Sequence, residues 1–140
     1  MDQQIILDKL LSLKRCVERI ECKVPESSDL LMADFDLQDI ISLNLQRAVQ
    51  VCVDISAHIS ADFDRRPPSS MAESFEIMKS AGVLSDSLCE RMKKSVGYRN
   101  IAVHEYATIN WRMVFSISTE HLNDFREFSA SVLAWVRKCG

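Results

Sequence analysis

Apolar side chains recur every three or four residues through most of this chain, the interval that lines one face of an α-helix. Between residues 3 and 23 the repeat runs Ile6, Leu10, Leu13, Val17 and Ile20, with Lys9, Lys14, Arg15, Glu18 and Arg19 mostly on the other side. Pro25 ends that helix, and residues 26–29 read as a loop before a short packed turn at Leu30, Leu31 and Met32. A longer helix is predicted from about Asp36 to Ser60, its core stripe formed by Leu37, Ile41, Leu45, Ala48, Cys52, Ile55 and Ile59. The run 64–69 contains Pro67 and Pro68 and cannot continue it.

Ser70 and Glu73 have the spacing of a capping box and open a third helix, which Ala81-Gly82 stops. Ser85 is placed to cap a fourth helix through Leu88, Met92, Val96 and Ile101, with Val83 and Leu84 stapling the corner. After a connector over 107–110, with Asn110 as N-cap, a last helical segment runs from Trp111 to about Lys138 and bends around Ser118-Thr119. No stretch alternates in the manner of a hairpin. The pattern predicts an all-α, up-and-down bundle of about four to five helices, formed as a single domain over residues 1–140.

Composition sharpens this picture at a few points. With only three Gly and three Pro, turns are few and elements long. A net charge of −3 provides no global basic field for nucleic acid, so any such contact needs a local cluster. Arg91, Lys93, Lys94 and Arg99 form one in the sequence. Five cysteines without C-x-x-C spacing fit small hydrophobes in a reducing cytosol. The start lacks a signal-peptide pattern, and no run of 18 apolar residues exists to span a membrane, so a cytoplasmic protein is expected.

The candidate chemistry lies in the segment from Tyr98 to Tyr106. Arg99 cannot lose its proton, His104 titrates near neutrality, and the phenol of Tyr106 follows two residues later. Five helical steps put Arg99 and His104 about 140° apart, flanking a ridge rather than stacking. Asn100 is four residues before His104 and can hydrogen-bond the imidazole, choosing its tautomer. A phosphate in such a place would meet Arg99 through a bidentate fork while His104 handles a proton. That pair can cleave RNA through its own 2′-hydroxyl, and DNA would be spared. No carboxylate cluster and no His pair with ligand spacing occurs, so neither a metal nor another cofactor is expected.

On the long second helix, Asn44, Arg47, Asp54 and His58 fall within about 80° of one another on a face separate from the core stripe. The functional reading has Asn44, Arg47 and Asp54 facing a polar cleft and orienting the groups around His104. The plain reading is a solvent-facing stripe. His58 and His121 read as surface or helix-face residues.

Arg-Asn-Ile-Ala-Val-His-Glu-Tyr at 99–106 follows Leu-Asn-Leu-Gln-Arg-Ala-Val-Gln at 43–50 and Val-Asp-Ile-Ser-Ala-His-Ile at 53–59. In these motifs and in its helix order the chain resembles the HEPN superfamily, and within it the HepT-like toxins encoded beside a minimal nucleotidyltransferase (MNT) antitoxin. The resemblance implies a metal-independent ribonuclease built on a helical bundle, forming a homodimer whose R-x4–6-H motifs line a shared cleft. It implies that Arg99 and His104 are catalytic, with Asn100 as support. It also implies that Tyr106, completing R-x4-H-x-Y, is the residue to which the MNT partner transfers AMP. A non-catalytic HEPN module that uses Arg99 and His104 for nucleotide or protein contact remains an alternative, as does a purely structural dimerisation domain.

Overall fold

In a computed structural model, which describes residues 2–63 and 66–139, all regular structure among the described residues is helical. The helices are α1 (Gln3–Lys23), α2 (Ser28–Ala33), α3 (Phe35–Ser60), α4 (Met71–Ser80), α5 (Asp86–His104), α6 (Trp111–Glu120) and α7 (Leu122–Cys139), with one 3₁₀ turn at Tyr106–Thr108.

Short polar side chains set most of the starts. Asp2, Ser27, Asp34, Ser70, Ser85 and Asn110 each accept a hydrogen bond from a backbone N–H in the first turn of the helix they precede. The expected capping box at Ser70 is half formed. Ser70 Oγ accepts from the Glu73 N–H, but the Glu73 carboxylate takes the Ser69 hydroxyl. Gly82 ends α4 with φ +81, a left-handed conformation that L side chains rarely adopt, and the N–H of Val83 closes back on Met78 O.

Two expected boundaries move. The turn at Leu30–Met32 is part of the six-residue α2, which buries only Leu31. The last segment is two helices, not one bent helix. Ser118 Oγ and Thr119 Oγ1 donate to the carbonyls of Val114 and Phe115, competing with the backbone ladder, and the chain leaves α6 at His121 (φ −120, ψ 6). Of the predicted break at 64–69, Asp64 and Arg65 lie outside the described residues, and Arg66–Ser70 is non-helical.

α1 and α3 run antiparallel along each other: Asp2 N–H donates to His58 Nε2 at 3.1 Å, and Lys9 faces Asp54 at 3.8 Å. Their buried faces meet Phe75 of α4 and Phe128 of α7, which pack edge to face with centroids 6.1 Å apart. Each such fully buried side chain contributes about 1.5–3 kcal/mol. Cys16, Cys52 and Cys89 are free and buried within this core, and burial pushes the Cys52 thiol well up. The bundle leaves the C-terminal end of α5 exposed at its edge.

Candidate active site

α5 is anchored by one side and open on the other. Leu88, Met92, Val96, Tyr98 and Ala102 are buried, whereas Gly97, Ile101 and His104 follow one another at i, i+4 and i+7 along an exposed strip. Tyr98 fastens the helix through its phenol, which shares a 3.0 Å hydrogen bond with Ser42 Oγ on α3. Gln46 Nε2 donates to the same Ser42 Oγ at 3.1 Å. Burial pushes the Tyr98 phenol up, so it stays neutral and serves as a structural hydrogen-bonding group.

His104 is the last residue of α5 and is exposed. Arg99 is half-buried, and its Nη1 donates to Asn100 Oδ1 at 3.4 Å, a long and weak contact. Asn100 is also exposed and lies one turn before His104, so it sits between cation and imidazole on the helix surface. Arg99 and His104 thus flank Asn100 at one helix end. The other histidines are occupied elsewhere: His58 accepts the Asp2 N–H, and His121 lies 4.0 Å from Asp124.

Beyond His104 the chain leaves the α conformation at Glu105 (φ −136, ψ 46) and enters the 3₁₀ turn. That turn presents Tyr106, 44 % exposed, whose O–H donates to Asp39 Oδ1 of α3 at 2.7 Å and whose ring meets Trp111 edge to face. Loss of solvent, and then the neighbouring Asp39 carboxylate, push the phenol up to about 12. Asp39, Ser42 and Gln46 are residues that the sequence reading missed. Their signal was available: they stand at i, i+3 and i+7 on α3, a polar row beside an apolar stripe.

Three expected supporting residues are elsewhere. Asn44 donates to Ile40 O of its own helix, Arg47 is exposed, and Asp54 accepts from Gln50 and faces Lys9 of α1. On the helix they lie about 120–160° around from Ser42, the residue that meets Tyr98. The stripe is real, but it faces α1, and it does not orient His104. Two of the four residues in the expected basic cluster are neutralised. Arg91 binds Asp124 at 2.5 Å and Glu127 at 2.7 Å, and Lys93 binds Glu76 at 2.6 Å and reaches Glu90 at 3.4 Å. Among the described residues no three His, Cys, Asp or Glu side chains come together as a metal site.

The family model for "Ribonuclease HepT-like" matches residues 13–132, spanning both the α3 row and the α5 motif. The chain belongs to the HepT-like family. It is 38% identical over 124 residues to the mRNA nuclease HepT of Shewanella oneidensis, covering 89% of this chain and 92% of that protein. A putative RNase of Archaeoglobus fulgidus is 27% identical over 74% of this chain and 79% of its own length. The structure of the tri-AMPylated Shewanella oneidensis HEPN toxin in complex with MNT antitoxin matches with a TM-score of 0.86 at 36% identity, covering 96% of this chain and 99% of the other. A toxin–antitoxin structure with AMP-PNP gives 0.87 at 35% identity, covering 94% and 98%. The HepT-like resemblance drawn from the motifs therefore holds across nearly the whole HEPN bundle.

Proposed function

We propose that this HepT-like chain is the ribonuclease toxin of a toxin–antitoxin pair, acting in the cytoplasm and restrained by a nucleotidyltransferase that transfers AMP to Tyr106. The observation that carries the reading is the end of α5, where half-buried Arg99 and exposed His104 stand on either side of Asn100. Arg99 supplies two parallel N–H donors to the phosphoryl oxygens and stabilises the charge that builds there. His104 moves a proton, either from the attacking 2′-hydroxyl or to the departing 5′-oxygen. The 2′-oxygen–phosphorus bond forms as the 5′-oxygen bond breaks, leaving a 2′,3′-cyclic phosphate.

Both proton transfers are needed, and one protomer offers one imidazole at this place. A second copy meeting the exposed strip of α5 would bring its own His104 to the same phosphodiester. Gly97 supports such an approach: a Cβ there would meet nothing within 4 Å, so no contact inside the protomer calls for glycine. A mid-helix glycine costs about 1 kcal/mol relative to alanine, and exposed Ile101 lies one turn further along the same strip.

Restraint works at Tyr106. Its phenolic oxygen attacks the α-phosphorus of a nucleoside triphosphate held by the partner, pyrophosphate leaves, and the proton passes to Asp39. The product places a bulky anion beyond His104 and within reach of the Arg99 region. The test is direct. Purified protein should cut RNA but not the same strand with 2′-deoxy sugars, and His104→Ala should abolish cutting with helicity retained. Equal cutting of the deoxy strand, or undiminished cutting by His104→Ala, would sink the proposal.

A further inference from the structure

The stripe that failed to support His104 borders a feature of its own. Arg15 and Arg19 of α1 and Arg47 of α3 line a polar crevice of about 460 Å3 between the two helices, together with Asn44, Leu43 and Cys16. All three arginines are exposed, and none is paired with a carboxylate. The chain as a whole has 20 acidic against 17 basic side chains, so a crevice lined by three cations and no carboxylate is a local reversal of its charge. Several cations elsewhere are matched: Arg91 with Asp124 and Glu127, Lys93 with Glu76, Lys9 with Asp54, and Arg126 with Glu21. Like charges facing one crevice repel, and an anion with several oxygens relieves that repulsion. Arg47 and Arg15 both act on the Cys16 thiol, opposing the upward push of its burial.

The crevice and the Tyr106 contact share α3. Asp39, Leu43 and Arg47 are successive i+4 positions, and Asp39 holds Tyr106. Arg47 is therefore about 12 Å along the helix from the Tyr106 contact. Leu43, exposed between them, offers an apolar surface on which a ribose or base can rest. Guanidinium forks match phosphate oxygens in geometry as well as charge.

We propose that Arg15, Arg19 and Arg47 bind the phosphate backbone of the RNA substrate outside the point of cleavage, so that the strand leaves the end of α5 along α3 and enters the α1–α3 crevice. The contact fixes the position and direction of the strand without reading its sequence. It rests on the ribonuclease reading above.

The experiment uses full-length His104→Ala protein, so that binding is measured without cutting. Anisotropy of a labelled single-stranded RNA is followed across salt concentrations, with and without Arg15→Gln, Arg19→Gln and Arg47→Gln together. Three lost phosphate contacts should weaken binding about tenfold or more at low salt and reduce the slope of log K against log salt by about 2. A variant with lysine at all three positions keeps the charge and should keep the slope. Unchanged affinity and slope in the glutamine variant, with an unchanged thermal melt, overturns the inference. So does loss of nucleotidyltransferase binding with RNA binding intact, which would make the crevice a protein-docking surface. Cutting by the protein with His104 present is scored separately. RNA cut at wild-type rate, with arginine-independent binding, rejects the crevice alone. RNA left intact rejects the ribonuclease reading and the crevice with it.

Discussion

Asp39→Asn isolates the contact that holds Tyr106. The phenol donates to an anionic oxygen at 2.7 Å. Hydrogen bonds to charged groups contribute about 1.5–3 kcal/mol, against about 0.5–1.5 for neutral pairs. Because Tyr106 is 44 % exposed, solvent recovers part of that difference, and the isosteric amide should remove about 1 kcal/mol. If Asp39 only orients the ring, the fraction of Tyr106 held for attack falls about fivefold, since 1.4 kcal/mol is a factor of ten. If Asp39 also takes the phenolic proton, loss of a general base adds a further factor of about 10²–10⁴. Intact-mass kinetics with purified nucleotidyltransferase and ATP separate the two, with Tyr106→Phe as the unmodifiable control. We expect a loss greater than about a hundredfold. Modification of Asp39→Asn at the wild-type rate would refute any role for the carboxylate, and an adduct on Tyr106→Phe would refute Tyr106 as the acceptor.

Arg99→Ala should abolish growth arrest while changing stability by no more than about 0.5 kcal/mol, because the side chain is half-exposed and bonded only to its neighbour Asn100; a urea titration with a collapsed midpoint would make it structural instead. Tyr98→Phe should cost about 1 kcal/mol by denaturation, by removing the buried bond to Ser42, and should slow cutting without changing which RNA is cut. Gly97→Ala should stabilise α5 by up to about 1 kcal/mol yet weaken self-association in sedimentation, and an unaffected dimer would remove the argument for close approach at that residue. Phenolate absorbance should report Tyr106 ionising near 12 in the wild type and lower in Asp39→Asn, though still above the ordinary tyrosine range because loss of solvent is the larger cause. The sign follows from an acid whose folded value is raised: the stability linked to Tyr106 is whole below about 10 and is lost as pH climbs through about 12.

The helices were legible because their information is local. Ser70, Ser85 and Asn110 cap where a short polar residue precedes an apolar repeat, and Gly82 stops α4 where a left-handed residue is required. Arg99, His104 and Tyr106 were legible because they are close in sequence. What escaped depends on which way a second helix is turned. Asn44, Arg47 and Asp54 formed a polar stripe on α3, but periodicity cannot say whether such a stripe faces α5 or α1. The Asp39–Tyr106 bond joins residues 67 apart, and no local pattern reports a pairing at that distance. The Lys93–Glu76 and Arg91–Asp124 pairs likewise converted a basic run in sequence into a charge-matched surface in space.

Had α5 continued past His104, Tyr106 would point about 200° around the helix from the imidazole and could not hold its bond to α3 by the same route. Stopping the helix there, with Glu105 as the hinge and a single 3₁₀ turn beyond, sets His104 and Tyr106 two residues apart on different backbone geometries. One residue inserted after Glu105 would leave Arg99 and His104 in register while carrying the tyrosine away from Asp39. On the proposed reading such a chain would keep its activity and escape its partner, so the length of this short junction matters as much as the residues it joins.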